Sequence, residues 1–191
     1  TNSGVKDYYV KKLDAHPQSD LSDAALYGDI GQRRAFSEVL ANSMYRELGF
    51  GAPTSYASQA SDGSWYVVAP WLDDIKQVGV NPAGGFRPRA ESMGAFVDTS
   101  QGVPQILYDT HGLSPGGVMD PSLIPVGMRP VSDVVGEGFL ADAFLANWDT
   151  AGFDIENIAF DQAGRLVRVD NGATFNFRAQ GLPKTSQGFD W

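Results

Sequence analysis

Phe144–Phe175 reads FLANWDTAGFDIENIAFDQAGRLVRVDNGATF, and the layout of this stretch decides the fold. An apolar helical run ends at Asp149. Asn157 then opens a strand-like run of Ile158, Ala159 and Phe160, and Asp161 to Gly164 form a turn. Leu166, Val167, Arg168 and Val169 follow as an alternating strand that ends on Asp170-Asn171-Gly172. Alternating apolar residues on both sides of a glycine-containing turn are the signature of a β-hairpin. Its rims carry three side-chain oxygen donors: Asp149 before it, Asn157 at its start and Asp170 at its end.

Upstream of the hairpin, Ser132-Asp133 offers a helix N-cap, and Phe139, Leu140, Ala143, Phe144 and Asn147 form a helical face running into Asp149. Residues 73 to 131 carry the weakest pattern. Asp73 to Val78 reads as a turn of helix, Gly94 to Leu107 lacks a clear period, and Asn81 to Pro88, Gly112 to Gly117 and Pro121 to Pro130 read as loops. A connection this long with little regular structure is often functional.

Nearer the start, Tyr56 to Leu72 predicts a second hairpin about the Asp62-Gly63 turn, ending on Ala69-Pro70-Trp71-Leu72. Gln32 to Leu48 is the clearest helix. Phe36, Val39, Leu40, Ser43, Met44 and Leu48 share one face, with Glu38 at its edge, and Gly49 sits at the C-terminal cap. Residues 14 to 31 read as a loop with a helical turn near Ala24 to Tyr27. Tyr8 to Val10 favours a strand, and Lys11 follows it directly. Two readings of Lys11 stand at this point: a solvated lysine on an edge strand, or the partner of Glu38 one helix later. After Gly172 an apolar alternation from Thr174 to Phe177 fades into loop.

Composition narrows the function. The chain of 191 residues suits one compact domain or one domain in two lobes. A net charge of −9 argues against a nucleic-acid surface, which needs a basic footprint. No run approaches the ~18 apolar residues of a membrane span, and no charged-then-apolar secretory leader is visible at the start. The absence of cysteine rules out disulfides, thiolate metal sites and a cysteine nucleophile. The two histidines, His16 and His111, sit in proline- and glycine-bearing loops with no spacing that suggests zinc. No G-x-S-x-G elbow is present.

What remains is an ordered set: strand lysine, helix glutamate, then aspartate, asparagine and aspartate around a hairpin. With Tyr9-Val10-Lys11, Glu38-Val39-Leu40-Ala41-Asn42, Met44 to Gly49 with Pro53, Leu145 to Asp149 with Asn157, and Arg168 to Gly172, the chain resembles the atypical kinases. That group includes HipA-type bacterial kinases, the actin-fragmin kinase and the phosphoinositide 3/4-kinases. The likeness is closer still to kinase-like domains of some phage head-morphogenesis and bacterial toxin proteins. It spans Tyr9 to Gly172, but residues 73 to 131 match nothing in it.

The resemblance implies an α+β, two-lobed fold. Residues 1–72 would be an N-lobe with a small antiparallel sheet, and residues 73–191 a more helical C-lobe, with ATP in the cleft between them. Lys11 would hold the phosphates with Ser3-Gly4 near them, and Glu38 would fix Lys11. Ala69 and Trp71 would lie on the strand leading into the hinge, where backbone groups hydrogen-bond adenine. Asp149 would orient an acceptor hydroxyl, while Asn157 and Asp170 would ligate Mg²⁺ or Mn²⁺. The implied activity is γ-phosphoryl transfer to a hydroxyl, most readily on a protein. The alternatives are an inactive pseudokinase serving as a binding module, or an AMP-transferase or ligase on the same fold. The start at Thr1 suits an excised domain, such as the effector end of a longer toxin or phage protein.

Three features depart from the kinase pattern. Seven residues separate Asp149 from Asn157, against four in H-R-D-x-x-x-x-N, which makes Asp154 a rival for the base position. Asn171 replaces the phenylalanine of D-F-G. No complete glycine-rich loop precedes Lys11.

Overall fold

The computed structural model describes residues 7–13, 30–72, 75–78, 94–101, 105–107, 124, 126–147 and 157–175. The described chain is α+β, with two helices and three small antiparallel sheets. Asp149, Asp154, Ser3, Gly4, both histidines, Asp73-Asp74, the expected turn near Ala24 and the tail beyond Phe175 lie outside these residues.

The first sheet joins β1 (Tyr8–Lys12), β2 (Tyr56–Gln59) and β3 (Trp65–Pro70) in the order β1-β3-β2. The β2–β3 hairpin turns where Asp62-Gly63 predicts it. Gly63 adopts φ +86°, and Asp62 Oδ1 accepts a hydrogen bond from the Ser64 amide. Strand period two sends Tyr9, Lys11 and Leu13 to one face of β1, opposite Ala69 and Val67 of β3. That face packs on α1 (Ile30–Glu47), where Leu13, Val67 and Ala35 form a buried cluster edged by Val39, Ala57 and Trp65.

Helix α1 ends where glycine permits. Gly49 adopts φ +91°, the Phe50 amide bonds to the Tyr45 carbonyl and the Gly49 amide to that of Arg46, which is a Schellman cap. The face that α1 buries is not the one hydrophobicity predicts. Ala35, Glu38, Ala41, Asn42 and Tyr45 are buried, whereas Phe36, Leu40 and Leu48 are exposed. Glu38, expected at the stripe's edge, is on the buried face with 3% exposure.

Helix α2 (Val131–Phe144) repeats this inversion. Val134, Gly138, Ala141 and Asp142 face inward, and Phe139, Leu140 and Phe144 face outward. Its cap residue is Pro130 rather than Ser132 or Asp133, because β7 (Met128–Pro130) runs straight into the helix and the Val131 amide still bonds to the Ala95 carbonyl.

The second sheet orders β4 (Lys76–Gln77), β8 (Ile158–Phe160) and β9 (Leu166–Arg168) as β4-β8-β9, and the last two form the central hairpin. Its turn follows the sequence closely: Asp161 Oδ1 accepts from the Ala163 and Arg165 amides, and Gly164 adopts φ +74°. Lys76–Gln77, read from sequence as helical, is instead β4, an edge strand on β8. Within the stretch that lacks a readable period, β5 (Phe96–Asp98), β6 (Gln105–Leu107) and β7 form a third sheet in the order β6-β5-β7. Each of its strands has three residues, too few for alternation to stand out. The described residues past Leu72 thus hold six short strands and one helix.

The main core joins the second and third sheets to the start of α2 through Val78, Val97, Val131, Val134, Ile158 and Phe160. A third cluster packs Tyr45 of α1 against Ala141 and Leu145, and Phe50 borders both. Gly51 admits the close crossing of the hairpin: a Cβ there would lie 2.7 Å from Val167 Cγ2. No described helix is long and apolar enough to cross a membrane.

Candidate functional site

Three predicted residues from distant parts of the chain meet. Lys11 projects from the helix-facing side of β1 and lies 3.3 Å from Glu38 Oε2 on α1. Its Nζ also donates to Asp170 Oδ1, just past β9. The two carboxylates differ in setting: the Glu38 side chain is 4% exposed and that of Asp170 is 49% exposed.

Electrostatics follow from that geometry. Burial opposes the charge on Lys11, but the neighbouring Glu38 and Asp170 carboxylates outweigh it, and the amine titrates above the usual lysine value. Burial pushes the Glu38 carboxyl upward, an effect that the Lys11 charge offsets in part. Tyr9, two residues before Lys11 on the same face, is also raised, first by burial.

Gly172 completes the cluster. A Cβ built there would stand 3.0 Å from both Glu38 Oε2 and Lys11 Nζ, and 3.4 Å from Asp170 Oδ1. Any larger residue would press on the ion pair, so glycine keeps the approach to it clear.

A cleft of about 580 Å³ opens beside the cluster. Val67, Ala69, Pro70, Trp71, Leu72 and Ile75 give it an apolar lining. Glu38, Asn42, Ser55, Asn157 and Asp170 add polar groups to the same lining. Trp71, which lines the cleft, is 57% exposed rather than packed in the core. A cavity with apolar walls and a few polar groups is the usual form of a small-molecule site.

Of the predicted set, Lys11 contacts both Glu38 and Asp170, and Ala69, Trp71 and Asn157 line the same cleft. Ser3, Gly4 and Asp149 lie outside the described residues. The sequence reading missed Tyr9, Asn42 and Ser55, which also line the cleft. Asn42 is one turn beyond Glu38 on α1, and that spacing is the signal that could have found it. Among the described residues no group of three or more histidine, cysteine, aspartate or glutamate side chains could hold a metal. Asn157 and Asp170 are the two oxygen donors of the expected metal pair, and both face the cleft.

Comparison of the chain with family models, with curated proteins and with solved structures finds no match.

Proposed function

We propose that the chain is a kinase-like, ATP-dependent phosphotransferase, with β1 to β3 and α1 as one lobe and the later elements as the other. The observation that carries this reading is Lys11, held between a buried glutamate and a half-exposed aspartate beside a cleft that also contains Asn157. Two lysine partners of unequal burial suit a cation that keeps one partner and shares the other with a ligand.

The residues fit a metal-bound nucleotide. Asn157 and Asp170 offer hard oxygen donors of the kind Mg²⁺ and Mn²⁺ prefer, and Gly172 leaves room for a ligand at Asp170. The metal, when bound, neutralises phosphate charge. Lys11 contributes a fixed positive charge to the phosphates, and Glu38 holds its amine in place. Ala69, Trp71 and their apolar neighbours exclude water around the base. Asp149, assigned from sequence alone, would orient the acceptor hydroxyl, with a protein as the favoured acceptor.

Calorimetric titration with ATP and Mg²⁺ or Mn²⁺ tests the reading, with Asp170→Ala beside the parent chain. Saturation at a hundredfold excess over Kd should stabilise the parent by about 2.7 kcal/mol, and Asp170→Ala should lose the metal-dependent part. Absence of binding with either metal would remove the enzyme reading. Incubation with γ- and α-labelled ATP then separates outcomes: γ label on a hydroxyl supports phosphoryl transfer, whereas α label points to AMP transfer.

A further inference from the structure

Asp170 adopts φ +49°, a left-handed conformation that a non-glycine residue keeps only when its surroundings enforce it. The next residue supplies that enforcement. Asn171 is fully buried, and its amide is engaged at both ends. Nδ2 donates to Asn42 Oδ1 at 2.7 Å and to the Arg168 carbonyl at 3.2 Å. Oδ1 accepts from Asn147 Nδ2 at 3.0 Å, and the backbone carbonyl accepts from Thr174 Oγ1 at 2.9 Å.

The partners matter more than their number. Asn42 lies on α1 one turn beyond Glu38, and its own Nδ2 donates to Ser55 Oγ at 2.7 Å. Asn147 follows α2, and Arg168 ends β9. One side chain therefore connects the helix that bears Glu38 with the segment that bears Asp170. An apolar side chain of similar volume could fill the space, but non-directional contacts would not set the rotation of residues 170–172. Hydrogen bonds would, because they weaken steeply off axis.

We infer that Asn171 is a positioning residue that registers α1 against the Asp170–Gly172 segment, so that Glu38 and Asp170 meet Lys11 together. Its consequence for nucleotide binding rests on the function proposed above; the register itself does not.

Zero-length crosslinking tests the register directly. A water-soluble carbodiimide activates a carboxylate and leaves as its urea, joining Lys11 Nζ to Asp170 in an amide with net loss of one water. The crosslinked peptide is quantified by mass spectrometry in the parent chain, Asn171→Leu, Asn42→Ala and the remote core variant Val97→Ala. The yield should fall about tenfold in Asn171→Leu, the factor expected when buried partners lose their hydrogen bonds. It should fall less in Asn42→Ala, which removes only the helix-side partner, and stay at the parent level in Val97→Ala. The gain in ATP affinity on adding Mn²⁺ should decline in the same order.

Parent-level crosslinking in folded Asn171→Leu would overturn the inference and leave Asn171 as core filling. If Asn171→Leu does not fold, Asn42→Ala decides by the same criterion. If the crosslinks fall as expected but the parent chain binds no nucleotide, the register stands and the kinase reading fails.

Discussion

Two acid–base clusters sit within one hairpin's reach of each other, and they use similar groups in opposite ways. Arg168 and Asp142 form the closed one: Nε donates to Oδ1 at 2.9 Å, Nη2 meets Oδ2 at 2.6 Å, and Tyr45 and Asn147 extend the chain of bonds. The Arg168 side chain is wholly buried. Lys11, Glu38 and Asp170 form the open one, with one carboxylate half exposed on a cleft. A guanidinium fork bound at both tines has no reason to release its partner, whereas an ammonium is a point charge that can share one. The first cluster therefore reads as structure and the second as a site.

The largest expected effect breaks the closed cluster. Asp142→Ala should cost about 3–5 kcal/mol, because it leaves a buried guanidinium without its counter-ion. Tyr45 loses an acceptor as well; burial and the Asp142 charge hold its hydroxyl proton firmly in the parent chain. Urea unfolding should show the midpoint collapse. A midpoint within experimental error of the parent would mean that the buried pair contributes nothing to the fold, and the contrast would disappear.

Gly138→Ala probes the same cluster from outside. Alanine favours a helix over glycine by about 1 kcal/mol, so this change should stabilise α2 if nothing else intervened. A Cβ at this position would fall 2.0 Å from Arg168 Nη2 and 2.9 Å from Cζ. Overpacking of this kind costs roughly 1–3 kcal/mol, occasionally more. A net loss of about 2 kcal/mol is expected, visible as a lower melting temperature. A rise in melting temperature would show that Arg168 can swing aside.

The same contrast explains what could be read from the chain alone. The central hairpin was legible because Asp161 and Gly164 dictate the turn and alternation sets both strands. The existence of α1 and α2 was legible too, but not their rotation. Their inward stripes carry Glu38, Asn42, Gly138 and Asp142, while Phe36, Leu40, Phe139, Leu140 and Phe144 point outward. A rule that turns the most apolar face inward fails for helices whose buried face is made of small residues and mutually bonded polar ones. Lys11, Glu38 and Asp170 could be selected by order and residue type. Asn171 could be flagged only as the wrong residue for a phenylalanine position, because its partners Asn42 and Asn147 are 129 and 24 residues away in the chain. The third sheet stayed hidden since each strand is too short to show a period.

The smallest expected effect concerns the open cluster, and it depends on pH. Lys11→Met keeps most of the side chain's length and removes the charge, leaving buried Glu38 without its main cation, with Arg34 a weaker influence. In the parent, burial already lifts the Glu38 carboxyl above its ordinary 4.5, with Lys11 pulling it back. Without Lys11 the lift grows. A carboxyl whose folded value is raised supports the fold below its unfolded value, and that support is lost as pH rises through the folded value. The stability gap between Lys11→Met and the parent should therefore be smallest near pH 4, below the ordinary Glu38 value, because a protonated Glu38 does not draw on the Lys11 charge. It should widen with rising pH to about 1 kcal/mol at neutrality, the cost of a buried acceptor without a partner. Thermal unfolding at a series of pH values measures the gap, and adding Glu38→Gln to Lys11→Met should flatten it. A gap that stays constant with pH would mean that Glu38 does not depend on Lys11 for its charge, and the open cluster would lose the feature that separates it from an ordinary surface ion pair.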